Sequence, residues 1–138
     1  MKNQLFALIG LGLLLATASA YAQTGVVKAN VPFNFIVDKT QIPAGEYLIQ
    51  SIGTSNSALL IENKDRSVAR MVLPIACESS GAQMKTKLVF HRYGDQYFLA
   101  QVWTAGNNRG TQLRQSAREA EVAMDHPVQN VVLAAALR

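Results

Sequence analysis

The chain has one cysteine, Cys77, so no intrachain disulfide can form and the fold must hold itself by packing. A lone thiol in an oxidising compartment is either buried as a small hydrophobe or paired with another chain. "LPIACES" (73–79) places it just past an apolar strand, which favours burial. Histidine is also scarce: His91 and His126 both lie far from Cys77 in sequence, so no Cys–His nucleophile is signalled. No C-x-x-C pair, G-x-S-x-G elbow or Gly-rich loop followed by GK[ST] occurs, which removes the common zinc, hydrolase and phosphate-loop signatures. Lys and Arg never form a run, and the small net charge argues against a nucleic-acid partner. Aromatics make up only 7% of the residues, so most of them are needed for a core.

What is present begins with "MKNQLFALIGLGLLLATASAYAQ". Lys2 precedes an uncharged apolar run from Leu5 to Ala16, and two A-x-A sites end at Ala20 and Ala22. This is the layout of a cleavable secretory signal; the run is short for a spanning helix. The expected organisation is a signal peptide over 1–22 and one domain over 23–138. The product is secreted or periplasmic, and not membrane-spanning after cleavage. Removing Lys2 lowers the formal charge from +4 to +3. That mild excess would favour an anionic surface such as a polyanionic sugar, although a solvated basic face also accounts for it.

The mature chain alternates in the manner of strands. In "VPFNFIVD" (31–38), Val31, Phe33, Phe35 and Val37 share one side, the mark of a half-buried strand. "IPAG" (42–45) fits a turn with Pro43 second and Gly45 as a left-handed bulge residue, and "EYLIQSI" (46–52) returns. Further strands are read at 58–62, 68–74 and 128–138, and loops at 53–57, 77–83 and 104–110. "KTKLVFHRYGDQYFLAQVW" (85–103) is the strongest hairpin signal, with Gly94-Asp95 as a two-residue loop. That loop sets Tyr93 opposite Gln96, Arg92 opposite Tyr97, His91 opposite Phe98 and Phe90 opposite Leu99. Strict alternation then puts Leu88, Phe90, Arg92, Tyr97, Leu99, Gln101 and Trp103 on one side. Val89, His91, Tyr93, Gln96, Phe98, Ala100 and Val102 fall on the other.

Both sides of that hairpin are largely apolar, unlike a sheet solvated on one face. Either something covers the second side or that side binds. A candidate cover is a short helix near 117–125, opened by Ser116-x-x-Glu119 as a capping box and closed by His126-Pro127. Ala117, Ala120 and Met124 share its narrow apolar face. The fold class expected is mostly β: an antiparallel β-sandwich or partly closed barrel of about seven strands with that one helix.

Chemistry-bearing residues are few. His91 and Asp95 resemble a base and its orienting carboxylate, but Asp95 is favoured in a turn for backbone reasons. Asp125-His126 has no third ligand at metal spacing, and a helix C-terminus accounts for His126. Glu119 and Glu121 point apart on a helix, leaving Glu119 as the capping-box acid. No catalytic residue, metal ligand or cofactor is expected. The candidate binding residues are His91, Tyr93 and Phe98, if the helix leaves their face open.

Three stretches together resemble a family of small secreted bacterial proteins: "VPFNFIVDKTQIPAGEYLI", "KLVFHRYGDQYFLAQVW" and "LRQSAREAEVA". The resemblance covers nearly all of the mature chain. It implies a β-rich exported domain and no particular activity. "IPAGEYLI" alone is also similar to the turn signature of prealbumin-like and Cna-B-like β-sandwich modules, which act as stalks, adhesion or accessory binding domains. The functional expectation is a non-catalytic exported β-domain, binding or structural, with an envelope protein or glycan as partner. The alternatives are a small hydrolase using His91 and a carrier of a small apolar ligand.

Overall fold

The computed structural model describes residues 26–53 and 58–137; the expected signal segment at 1–22 and most of the 53–57 loop lie outside them. Twelve short strands and one helix, α1 (Ala117–Asp125), make up the described chain. The strands are β1 (Val26–Val31), β2 (Phe35–Val37), β3 (Thr40–Ile42), β4 (Gly45–Ile52), β5 (Ala58–Asn63) and β6 (Ala69–Val72). They continue as β7 (Ile75–Glu78), β8 (Lys87–Tyr93), β9 (Gln96–Trp103), β10 (Arg109–Gln112), β11 (Gln129–Ala134) and β12 (Ala136–Leu137).

They form two sheets that do not close into a barrel: the arrangement is a β-sandwich. The first sheet runs β12-β1-β4-β5-β6 and the second β11-β8-β9-β10-β7. β2 pairs with β3 and, through Ile36 opposite Phe98, in parallel with β9. The order explains how the layers stay together. β6 and β7 are successive in sequence and lie at corresponding edges of the two sheets, and so do β11 and β12. The chain thus crosses between layers at Leu73-Pro74 on one edge and at Ala135 on the other. Pro74 cannot donate to a ladder, which suits a crossing point. At the other crossing the Ala135 amide donates to the Thr86 carbonyl at 3.0 Å. The single last strand expected over 128–138 is therefore two, one in each sheet.

Inward-facing side chains fill the space between the layers. Val27, Ala29, Val31, Tyr47, Ile49, Leu59 and Ile61 of the first sheet meet Phe35, Leu88, Phe90, Leu99 and Val102 of the second. Rings cross edge to face, with centroids 5.3 Å apart for Phe35–Tyr47 and 5.5 Å for Phe35–Phe90, a favoured geometry. Phe33 stacks on Tyr97 at 3.8 Å beside the Arg92 guanidinium, itself 5.4 Å from the Tyr97 ring centre.

Two local readings need correction. "VPFNFIVD" is not one strand. β1 ends at Val31 in the first sheet, and β2 folds back on β3 through Asp38-Lys39, with Asp38 left-handed at φ 57°. Consequently the Pro43-Ala44 turn carries the chain from β3 in one sheet to β4 in the other. Gly45 is near extended at φ 159°, not a left-handed bulge. Two side chains hold this crossing: Asn34 Oδ1 accepts from the Ala44 amide at 2.9 Å, and the Tyr47 hydroxyl donates to the Pro43 carbonyl at 2.6 Å. The V-P-F-N-F and P-A-G-E-Y stretches thus lock one another.

The second correction lies at the hairpin. β8 and β9 pair as expected from Tyr93–Gln96 through Phe90–Leu99 around Gly94, which has φ 60°. A β-bulge then intervenes: Val89 faces Gln101, so Ala100 is the extra residue of β9. One added residue reverses the alternation beyond it. Val102 faces inward with Leu88 and Phe90. Gln101 and Trp103 turn outward, where the Trp103 indole N–H donates to Gln101 Oε1 at 2.9 Å. The loops read at 77–83 and 104–110 likewise contribute strand: β7 and β10 pair there from Glu78–Arg109 to Ile75–Gln112.

Candidate functional site

The two outer faces of the sandwich differ. On the second sheet, His91, Tyr93 and Phe98 lie outward, as the hairpin register requires, and α1 lies over them. Val122 and Ala123 of α1 pack against Ile36, Tyr93 and Phe98. Tyr93 and Phe98 keep only 4% and 2% of their surface, so neither ring is available as a stacking platform. His91 is about one-third exposed at its side chain (33%).

The helix starts where the sequence places it. Ser116 is the N-cap, its hydroxyl accepting from the Glu119 amide at 3.1 Å, and His126 is the C-cap. The face it buries differs from the expected one. Ala117, Ala120 and Met124 point to solvent, Met124 with 85% exposure, whereas Glu119 is buried at 7%. Glu119, Val122 and Ala123 stand at i, i+3 and i+4 and form the sheet-facing stripe. The Glu119 side chain therefore does not close a capping box. Its Oε2 lies 3.0 Å from His91 Nδ1 and accepts from the Tyr93 hydroxyl at 2.8 Å. Burial, then the bond to Glu119 and its nearby charge, push the Tyr93 hydroxyl up to about 12. A buried carboxylate is tolerated when donors satisfy it, and here two donors of β8 do so.

The carboxylate partner of His91 is thus Glu119, 28 residues away in sequence, and not the Asp95 considered from the hairpin alone. No sequence spacing could have flagged it, because the contact exists only once the helix lies across the sheet. His126 sits over the hairpin turn, its ring 3.6 Å from where a Cβ on Gly94 would lie. Among the described residues, no three His, Cys, Asp or Glu side chains come together in a way that would hold a metal ion. Cys77 lies on edge strand β7, half-buried, with its thiol pushed up by that burial.

Among the described residues, no helix lies on the outer face of the first sheet. Its strands alternate between buried and accessible positions, the pattern of a sheet with one solvated side. Rows of paired residues cross it: Lys28, Leu48, Glu62 and Ala69 form one, and Val26, Gln50, Leu60 and Met71 the next. Leu48 and Leu60 are half-buried there, and Met71 is 61% exposed. No helix among the described residues is long and apolar enough to cross a membrane.

Fold and site together define a two-layer antiparallel β-sandwich with a short helix bonded to one outer face and the other face left open by the described residues. No family model, no curated protein and no solved structure matches the chain.

Proposed function

We propose that the protein is an exported, non-catalytic β-sandwich domain that engages an envelope protein or glycan through the open face of its first sheet. The observation that carries this reading is the contrast between the two outer faces. The convergence of His91, Tyr93 and Glu119 is occupied in attaching α1, whereas among the described residues the opposite face offers polar and apolar side chains to solvent. Export rests on the N-terminal signal layout and on the resemblance to small secreted bacterial proteins. A binding role agrees with a core already filled by Tyr47, Phe35 and Phe90, which leaves the inter-layer space to packing rather than to a carried ligand.

The test is co-sedimentation of the purified exported protein with isolated cell envelopes, comparing wild type with Met71→Glu. Met71 is exposed, so the substitution should leave the melting temperature within about 2 °C. The expected result is at least a several-fold loss of envelope association. Unchanged association would refute the assignment of binding to this face. A hydrolytic activity that disappears in His91→Ala would replace the reading with a catalytic one.

A further inference from the structure

The two sheets end in edge strands β12 and β6, β11 and β7, and three of these are blunted. β12 is only two residues long, Ala136–Leu137. β7 is four residues long, follows Pro74 and carries an ion pair, Arg109 Nε to Glu78 Oε1 at 3.3 Å. β6 turns a charge toward the core side: Arg70 stands opposite the fully buried Ile61, and opposite residues share a face. Short strands, proline and inward-pointing charges keep an edge from pairing with another chain.

The fourth edge, β11, has none of these devices. Its six residues, Gln129–Ala134, include no charge, proline or glycine. They pair with β8 in unbroken register, from Gln129–Arg92 to Ala134–Lys87. Among the described residues, no strand pairs with the other side of β11. Val131 and Leu133, opposite Phe90 and Leu88, face the core and are half-buried there. Val132, opposite Val89, faces outward and is 61% exposed, so α1 does not cover it. A regular, uncharged, largely apolar edge is a template for a further strand.

We propose that β11 pairs antiparallel with β11 of a second copy of this chain, joining the second sheets of two protomers into one continuous sheet. The register argues for this occupant. Two-fold antiparallel pairing keeps inner residues with inner and outer with outer only when a residue lies on the axis. With Val132 on the axis, Val132 faces its own copy, Val131 faces the partner's Leu133 and Asn130 faces the partner's Ala134. The core-side row then carries the inter-layer core across the junction, and no like charges meet. With Val131 on the axis instead, Gln129 would face Leu133 and Asn130 would face Val132, polar against apolar. One self-complementary contact covers the open edges of both copies and closes, as isologous pairing does; a strand of another protein would cover one edge without this match. A two-fold axis normal to the sheet also turns the outer faces of both first sheets the same way. The open-face reading, on which this inference does not rest, thereby gains a bivalent geometry.

The experiment is sedimentation velocity of the purified protein over a concentration series. A concentration-dependent approach to twice the monomer mass is expected. Val132→Lys sets two like charges on the axis and should weaken dimerisation by about tenfold or more, with the far-UV spectrum of the dilute monomer unchanged. Val132→Glu should do the same. An equimolar mixture of the two variants should dimerise again, because only a residue facing its own copy brings Lys opposite Glu. Wild type alone supplies a check that needs no variant: in a mixture of methyl-labelled and unlabelled protein, an intermolecular cross-peak should join Val131 to Leu133. A protein still monomeric at about 1 mM, too weak for specific pairing, leaves the edge to a strand of another protein and overturns the proposal. So does a dimer indifferent to Val132→Lys, a variant mixture no tighter than either variant alone, or a wild-type dimer without the Val131–Leu133 contact.

Discussion

Replacing Glu119 with Ala removes the acceptor that joins α1 to β8. The Tyr93 hydroxyl bond at 2.8 Å is buried, and a hydrogen bond to a charged group contributes about 1.5–3 kcal/mol. The His91 contact at 3.0 Å involves a side chain one-third exposed (33%), so solvent screening limits it to roughly 0.5 kcal/mol. The higher helix propensity of Ala returns about 0.4 kcal/mol. The net loss is about 2–3 kcal/mol, or on the order of 8–12 °C in melting temperature for a domain of this size. Circular dichroism melts give the total, and native-state hydrogen exchange locates it: protection should fall first in α1 while the β1–β4–β5 amides keep theirs. Glu119→Gln retains an oxygen acceptor and should lose less than half as much. Tyr93→Phe made in the Glu119→Ala background should cost less than Tyr93→Phe alone, because the two share one bond, although the Gln115 side chain also bonds the Tyr93 hydroxyl. A melting temperature within 2 °C of wild type for Glu119→Ala, or additive losses in the double variant, would refute the claim that this carboxylate holds the helix (thresholds on the order of the scale above).

Three further outcomes follow from the same geometry. The unfolded chain loses the Tyr93 proton near pH 10 but the folded one only near about 12, so the unfolded state binds fewer protons between those values and stability falls as pH rises through them; alkaline denaturation should be less steep in Tyr93→Phe. A Cβ at Gly110 would lie 2.7 Å from the Trp103 ring and 2.9 Å from the Val102 carbonyl oxygen, whereas one at Gly81 meets nothing within 4 Å; thermal melts should show Gly110→Ala costing about 1–3 kcal/mol and Gly81→Ala close to nothing. Phe98→Ala should destabilise by about 3–5 kcal/mol in chemical denaturation, since the ring is 2% exposed beneath α1; a loss below 1 kcal/mol (on the order of a surface change) would mean the helix does not cover it.

The parts legible in the sequence were those governed by neighbours along the chain. Gly94-Asp95 fixed the hairpin register as far as Phe90–Leu99, and Ser116 with Pro127 bracketed α1 to the residue. The bulge at Ala100 was not legible, because a small residue in an apolar run reads the same paired or extra. Its purpose lies across the sheet, where the Ala100 carbonyl accepts from the Leu113 amide at 2.8 Å. The Asp38-Lys39 reversal was hidden for a similar reason: Asp tolerates a left-handed backbone, but no Gly announced one. The buried face of α1 was misread because hydrophobic periodicity counts a glutamate as solvent-facing, and Glu119 is buried through partners 26 and 28 residues upstream. The row Lys28–Leu48–Glu62 on the outer face of the first sheet was equally invisible, since it forms only through the β1–β4–β5 pairing.

The most direct test of the central claim, that α1 is bonded across the outer face of the β8–β9 hairpin, is a nuclear Overhauser spectrum of the protein with methyl-labelled Val and Ala. The account predicts cross-peaks from Val122 and Ala123 methyls to the rings of Tyr93 and Phe98, with none from Ala117 or Ala120. Cross-peaks from the latter pair instead, or rings without any helix contact, would contradict it.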